Sequence, residues 1–131
     1  MAGEVPHSFT PERMMRLASL EMRALIAIET AGADRLGPVD FYNAAVHMRS
    51  HLGISTHAWT EALDVMGPDS SWLAVFLLDA NRDHPETPVR NPGGALRAMT
   101  RRSAEGRLNL LGSLIRLARR REAEARVEPC P

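Results

Sequence analysis

Arginine side chains are concentrated in the C-terminal third of the sequence. Residues 90–121 contain nine arginines and one acid, Glu105, whereas residues 1–89 contain six arginines and 12 acids, although the formal net charge of the chain is zero. Clustered guanidinium groups are the electrostatic signature of phosphate contacts, so the pattern predicts DNA as a partner. Arg97 and Arg101 are one helical turn apart and should share a face. The candidate DNA-contacting residues are Arg90, Arg97, Arg101, Arg102, Arg107, Arg116, Arg119 and Arg120.

A helix start with two glycines precedes most of these arginines. Asn91 is typical of an N-cap and Pro92 of a first helical residue, and Gly93 and Gly94 follow in the first turn. Glycine weakens a helix, so the pair indicates a close approach to the backbone, and the free N–H groups of a helix start favour an anion. The alternative is tight packing of the glycines against a neighbouring helix, with the arginines solvated or paired with the acidic part of the chain.

Histidines offer the spacing of metal ligands. His47 and His51 are four residues apart, and His57 is close in sequence. A metal-dependent hydrolase with this spacing would carry a glutamate beside the first histidine, where Met48 stands. No arrangement of nucleophile and base is recognisable, and Cys130 is the single cysteine. We therefore expect neither an enzyme nor a bound metal or cofactor, with the histidine spacing as the one feature favouring an enzyme.

A glycine turn at Gly53 separates two predicted helices, as in a helix-turn-helix. Arg49 opposes a DNA-reading role because it occupies a position that needs a small residue. Glu61 and Asp64 oppose it because phosphates repel them. Plain helix packing is the favoured interpretation, and groove reading is the alternative. The positions that a helix-turn-helix requires to be apolar are occupied by Met48, Leu52, Ile54, Trp59 and Ala62.

The elements that must position these residues are predicted to be helices. Capping residues and apolar spacing indicate a first helix over residues 10–32, with Gly32 as its stop, and a second over residues 38–52. A third covers residues 55–66 and ends at Gly67-Pro68. No segment has the alternation of a strand.

The fourth predicted helix is the most apolar segment. Asp69-Ser70-Ser71 is its predicted cap, and Trp72–Leu78 is apolar almost all round, so this helix should be central and buried. A fifth helix starts at Asn91 and ends near Gly106, and Asn109 caps a sixth. The sixth should place Leu111, Leu114, Ile115 and Ala118 on its apolar side and Arg116, Arg119 and Arg120 on the opposite side.

Length and composition indicate one all-α domain, a compact bundle of about six helices. At 131 residues with 44% hydrophobic side chains, the chain forms a core without disulfides. We expect residues 1–9 to be a flexible leader or linker, residues 10–125 the helical domain and residues 126–131 a disordered tail. No apolar run approaches the roughly 20 residues that span a bilayer, and no secretory signal is readable. A cytoplasmic protein without membrane contact is therefore expected.

Sequence blocks in a particular order also carry a family resemblance. They are Leu52-Gly53-Ile54-Ser55, then Val65-Met66-Gly67-Pro68, then Asn91-Pro92-Gly93-Gly94-x-Leu96-Arg97-x-x-Thr100-Arg101-Arg102, preceded by Thr10-Pro11-Glu12. Together they resemble the C-terminal domain of RepC-type replication initiators, which serve large low-copy bacterial plasmids. The resemblance spans about residues 8–121. Ala95 departs from it, because an aromatic residue is expected there, and the loop over residues 83–90 is longer than expected.

The resemblance implies participation in the initiation of plasmid DNA replication. Proteins of that family are much longer, with an N-terminal winged-helix region that binds the plasmid origin and a flexible linker, so the chain resembles their second part. One hypothesis is a non-enzymatic accessory domain that contacts DNA through the candidate arginines. The other is a protein–protein interaction domain that associates with itself or recruits host replication proteins without direct DNA contact.

Overall fold

The computed structural model describes residues 9–31 and 36–127. In this part of the chain there are helices and turns but no strand, so the predicted all-α bundle of about six helices is confirmed. In chain order the helices are α1 (Pro11–Leu17), α2 (Leu20–Glu29), α3 (Pro38–His51), α4 (Thr56–Ala80), α5 (Pro92–Ala104) and α6 (Leu110–Val127).

The first predicted helix is in fact two helices. One helix is expected over residues 10–32, but α1 ends at Leu17 and α2 begins at Leu20. Ser19 is the N-cap of α2, and its Oγ accepts a hydrogen bond from a backbone N–H three residues later at 3.0 Å. The expectation of one helix was wrong because the apolar spacing continues across the break. The break itself is marked only by Ser19, whose side chain caps the start of a new helix. The predicted stop at Gly32 lies outside the described residues.

The predicted leader, residues 1–9, and tail, residues 126–131, fall mostly outside the described residues. Phe9 is the described part of the leader, and it is buried against the bundle. The guanidinium carbon of Arg13 lies 4.3 Å from the centroid of the Phe9 ring, which is a cation–π distance. Residues 126–127 continue α6.

Polar side chains of α2, α4 and α6 make hydrogen bonds at the break between α1 and α2. The guanidinium group of Arg23 donates to two carbonyls in the last turn of α1, at 2.9 and 2.8 Å. Arg121 donates its Nε to the carbonyl of Leu17 at 3.2 Å. Ser19 donates its hydroxyl to the buried carboxylate of Asp79 at 2.5 Å. The end of α1 is therefore capped by side chains, because its last carbonyls have no partners within the helix.

The carboxyl group of Asp79 predicts a pH dependence of stability. Burial raises the pKa of Asp79, although the Ser19 hydroxyl and the Arg82 guanidinium act against this rise. Because the native chain binds this proton more tightly than the unfolded chain, the contribution of Asp79 to stability falls as pH rises from the unfolded pKa through the folded pKa. We expect the free energy of unfolding of Asp79→Asn, minus that of the wild type, to be more positive at about pH 7 than at about pH 3.5. Urea denaturation across this range measures the difference, and a difference that falls with pH would contradict the assignment.

Helix α4 is sharply kinked at Gly67. Its backbone there has φ +83° and ψ 170°, so residues 56–66 and 68–80 are two helical segments, and the predicted stop at Gly67-Pro68 is confirmed. The second segment nevertheless starts at Pro68, and Ser70 and Ser71 are buried inside it. The predicted cap at Asp69-Ser70-Ser71 was wrong because a proline already supplies a suitable first helical residue.

The kink predicts a strong preference for glycine. A backbone with positive φ and extended ψ is open almost only to glycine, so Gly67→Ala should lower the free energy of unfolding by about 1–3 kcal/mol. Gly93→Ala is the matched control, because Gly93 is helical and an added Cβ would meet the carbonyl of Gly53 at an ordinary 3.9 Å. We expect the control to leave thermal stability unchanged or slightly increased, and equal losses in both variants would contradict the role of the kink.

The core lies around the second segment of α4. Every residue of the predicted central run Trp72–Leu78 is buried, and α4 contacts α3, α5 and α6. Phe41 of α3 stacks on Trp72 with ring centroids 5.2 Å apart. Phe76 meets both rings edge-on, with centroids 6.4 Å away. The arginine-rich helices α5 and α6 thus pack against the most deeply buried element of the fold.

Candidate nucleic-acid interface

The cap at the start of α5 explains why one of its two glycines, Gly94, is a glycine. Asn91 caps the helix as predicted, with its Oδ1 accepting the backbone N–H of Gly94 at 3.1 Å, and Pro92 is the first helical residue. A Cβ at Gly94 would lie 2.8 Å from Asn91 Nδ2, so any larger residue would displace the cap. Gly93 faces the carbonyl of Gly53 in the turn between α3 and α4. Capping accounts for Gly94, so its presence does not require a ligand.

Helix α6 begins with the same type of asparagine cap. Asn109 accepts the backbone N–H of Gly112 at 2.9 Å, which confirms the predicted cap. A Cβ at Gly112 would lie 2.5 Å from Asn109 Nδ2. The role of Gly112 was missed by sequence reasoning, and the signal that reveals it is the Asn-x-x-Gly spacing that α5 and α6 share. Both arginine-rich helices therefore have firmly capped starts.

Arg97 and Arg101 lie on one exposed face of α5, as their spacing predicts. Leu96, Met99 and Thr100 form the buried face of the same helix. The hydroxyl of Thr100 is satisfied by the carbonyl of Leu96 at 2.9 Å. Because the buried face anchors α5 on α4, the two guanidinium groups project from a rigid support.

Three of the predicted arginines line one cleft. Arg102 of α5 and Arg116 and Arg120 of α6 border a cleft of about 410 Å³, which the loop over residues 81–89 closes on a further side. Among the described residues, none that lines this cleft is acidic. The structure thus brings together three charges that are up to 18 positions apart in the sequence. Sequence reasoning missed the polar neighbours His84, Thr87 and Ser113, because no local pattern shows that the loop meets α6.

The remaining predicted residues lie apart from this cleft. Arg119 is exposed and lines a different groove, between α6 and the start of the described chain at Phe9. Arg107 is exposed between α5 and α6 and forms an ion pair with Glu105 at 2.8 Å. Arg90 is exposed immediately before the α5 cap. The eight candidate residues therefore do not form one compact site.

Arg120 differs from the prediction. It is assigned by sequence to the solvent side of α6, but its side chain is only 12% exposed. Its Nη2 donates to the carbonyl of Ala80 and to Oδ1 of Asn81, both at 3.0 Å, and its Nη1 pairs with Glu124 at 3.1 Å. The assignment was wrong because α6 crosses the end of α4, where unpaired carbonyls need donors. Arg120 contributes charge to the cleft while its donors serve the fold.

Most of the predicted arginines have no acidic partner in the part of the chain that the structure describes. Within the described residues, no carboxylate lies within 4.0 Å of six of the eight guanidinium groups. All six are exposed. The six are Arg90, Arg97, Arg101, Arg102, Arg116 and Arg119.

The turn between α3 and α4 is a packed element. Gly53 has a φ of +71°, and Arg49 donates its Nη1 to the carbonyl of Ile54 at 2.6 Å, so this arginine bridges the turn. Glu61 and Asp64 lie on the exposed side of α4 and would repel phosphates. The five apolar positions suit plain packing as well as a helix-turn-helix, and packing remains the favoured interpretation. All of them are buried: Met48, Leu52, Ile54, Trp59 and Ala62.

The histidines make separate local contacts. His47 Nε2 lies 3.0 Å from a carboxylate oxygen of Glu29, and His57 Nε2 lies 3.8 Å from Glu61. His51 is exposed. Residues 9–31 and 36–127 contain no group of three metal-ligating side chains that could hold an ion. That the chain binds no metal and has no enzymatic activity stays a prediction. No helix in the same residues is long and apolar enough to cross a bilayer.

Over residues 9–31 and 36–127, fold and surface together define an all-α domain whose C-terminal helices carry arginines without an ion-pair partner in these ranges. Residues 22–120 match the family model described as the replication protein C C-terminal region. A replication protein C of Rhizobium rhizogenes is 37% identical over 71 residues, which cover 54% of this chain and 16% of that protein. A second, from Sinorhizobium fredii, is 32% identical over 90 residues, covering 69% of this chain and 21% of the relative. No solved structure matches the chain.

The chain therefore belongs to the replication protein C family and corresponds to its C-terminal region. The resemblance drawn from the sequence blocks is confirmed. The chain matches only 16% and 21% of the length of these two relatives.

Proposed function

We propose that this chain is a non-enzymatic accessory domain of a plasmid replication initiator that contacts DNA through the arginines of its C-terminal third. Family membership supports a role in replication, and the resemblance to initiators of low-copy plasmids supports plasmid DNA as the substrate. In this role the domain holds DNA without reading its sequence, and a separate region of the initiator selects the origin. The setting is the cytoplasm, where plasmid DNA is replicated.

The observation that carries the proposal is the set of six exposed arginines that have no carboxylate partner among the described residues. If the basic third served only to neutralise the acidic residues of the same chain, these guanidinium groups would be paired. Only Arg107 and Arg120, among the eight, form ion pairs with described residues. The other six keep their charge available for phosphates, which attract exposed arginines at long range and bind them in bidentate fashion.

The proposal is tested by fluorescence anisotropy with labelled single- and double-stranded DNA of origin-like and scrambled sequence. If about five phosphates are neutralised, log K should fall with log salt concentration at a slope near −4 to −5, whatever the sequence. Binding that does not change with salt, or no binding at about 50 mM salt, would refute the proposal, because arginine–phosphate contacts release counterions on binding.

A second candidate function is favoured by a different observation. Leu20 and Ile28 of α2 are 79% and 68% exposed, and Val39 of α3 is 69% exposed. Exposed apolar side chains on neighbouring helices favour a protein–protein interaction domain that associates with itself or with host replication proteins. Light scattering over a range of concentrations tests self-association. A mass that rises with concentration in the wild type but not in Leu20→Glu with Ile28→Glu, together with no DNA binding, would favour this alternative.

A further inference from the structure

The cleft bordered by Arg102, Arg116 and Arg120 has the charge of an anion-binding site. Its lining contains three guanidinium groups, of which that of Arg120 is paired with Glu124, and no described residue that lines it is acidic. Arg102 makes no ion pair with a described residue, and Arg116 uses one amino group to donate to the Ser113 hydroxyl at 3.1 Å. Arg102 and Arg116 therefore keep donors available to a ligand, whereas the amino groups of Arg120 are engaged by Ala80, Asn81 and Glu124.

The loop side of the cleft adds one neutral donor. His84 accepts two backbone N–H groups at its Nδ1, from Glu86 at 3.1 Å and from Thr87 at 3.0 Å. A ring nitrogen that accepts carries no proton, so the neutral ring bears its hydrogen on Nε2 and can donate from there. Thr87 and Ser113 line the same cleft, but their hydroxyls already have partners: the Thr87 hydroxyl lies 3.4 Å from His84 Nδ1, and the Ser113 hydroxyl donates to the carbonyl of Asn109 at 3.3 Å. The hydrogen bonds to Nδ1 fix the imidazole on the loop, so His84 adds one neutral N–H donor to the lining.

We propose that this cleft binds a single phosphoryl group. A volume of about 410 Å³ is too small for a duplex but accommodates one phosphate with its attached sugar. Planar guanidinium groups match phosphate oxygens with paired hydrogen bonds, and the imidazole N–H of His84 can serve a further oxygen. The phosphoryl group comes either from the backbone of a bound DNA strand or from a free nucleotide. In the first case the inference rests on the proposed DNA contact, and in the second it stands without it.

The test uses the whole chain with inorganic pyrophosphate and dATP as free phosphate probes and with a short DNA strand as the polymer. Backbone amide chemical shifts of Thr87 and Ser113 report on the cleft, which the exposed face bearing Arg97 and Arg101 does not line. We expect these amides to shift saturably with at least one class of probe. Arg116→Glu should weaken that binding at least about tenfold, since it removes charge-assisted hydrogen bonds and adds a repelling carboxylate.

Arg126→Glu is the matched control, because Arg126 is exposed on the same helix, does not line the cleft and is not one of the candidate DNA-contacting arginines. Arg102→Gln is a second variant, which removes a charge from the α5 side of the cleft. If both cleft variants weaken the binding of the free probes and the control variant retains it, the result supports a nucleotide site, even if the chain does not bind DNA. If only DNA shifts these amides, and the same variants weaken its binding, the result supports a backbone phosphate of the DNA strand as the ligand. No shift with any phosphate probe, equal effects of Arg116→Glu and Arg126→Glu, or equal affinity for a glutamate-rich peptide would overturn the inference.

Discussion

Replacing Arg97 and Arg101 together by glutamate is expected to weaken DNA binding about 100-fold at about 50 mM salt. The two side chains lie one turn apart on the exposed face of α5 and make no ion pair with any described residue. Each phosphate contact that is lost removes the release of nearly one counterion, so the slope of log K against log salt should become shallower by about 2. Anisotropy titrations at several salt concentrations measure both quantities.

The control must change the net charge equally without touching the basic surface. Arg16→Glu with Arg126→Glu does so, because both arginines are exposed and both lie outside residues 90–121. We expect the control to bind with a salt slope close to that of the wild type. If both double variants lose affinity alike, the binding depends on net charge and not on the face of α5. If neither loses affinity, DNA does not contact this face.

The largest effect on stability is expected from Phe76→Ala. Phe76 is 1% exposed in the second segment of α4, and its ring meets those of Phe41 and Trp72 edge-on. Truncating a buried phenylalanine costs about 3–5 kcal/mol, because the apolar transfer energy and the contacts around the cavity are both lost. A domain is typically stable by about 5–15 kcal/mol, so this variant should be close to unfolding at room temperature. Urea denaturation followed by circular dichroism measures the loss.

Two companion variants separate core packing from hydrophobicity in general. Phe76→Leu keeps much of the side-chain volume and should cost clearly less than Phe76→Ala. Leu111→Ala should have little effect, because Leu111 is 44% exposed although its spacing on α6 predicts the apolar side. Similar losses for Phe76→Ala and Leu111→Ala would contradict a core organised around α4.

Local sequence signals were sufficient for much of the fold. The caps at Asn91 and Asn109 and the stop at Gly67 concern hydrogen bonds or backbone angles within a few residues, so their signals lie next to the features that they create. The run Trp72–Leu78 is apolar on all sides, and burial on all sides satisfies it wherever the other helices lie.

Sequence signals were ambiguous where a feature depends on residues that are far apart in the chain. The break between α1 and α2 depends on Ser19, which could also have been an ordinary exposed residue within one long helix. Its hydroxyl is engaged by Asp79, 60 positions later, so the reason for the break is not local. The glycine pair of α5 was also ambiguous, and the distances to Asn91 and Gly53 show what surrounds each glycine.

The sequence by itself determined the helical class, the family and the concentration of arginines in residues 90–121, because composition, spacing and sequence blocks are properties of the chain. Only the tertiary structure decided what each arginine does. Arg116 and Arg120 are one turn apart on α6, yet Arg116 is exposed and Arg120 caps the end of α4. The physical reason is that helical spacing shows which residues share a face, whereas the crossing of helices decides which part of that face meets unpaired carbonyls and which part meets solvent.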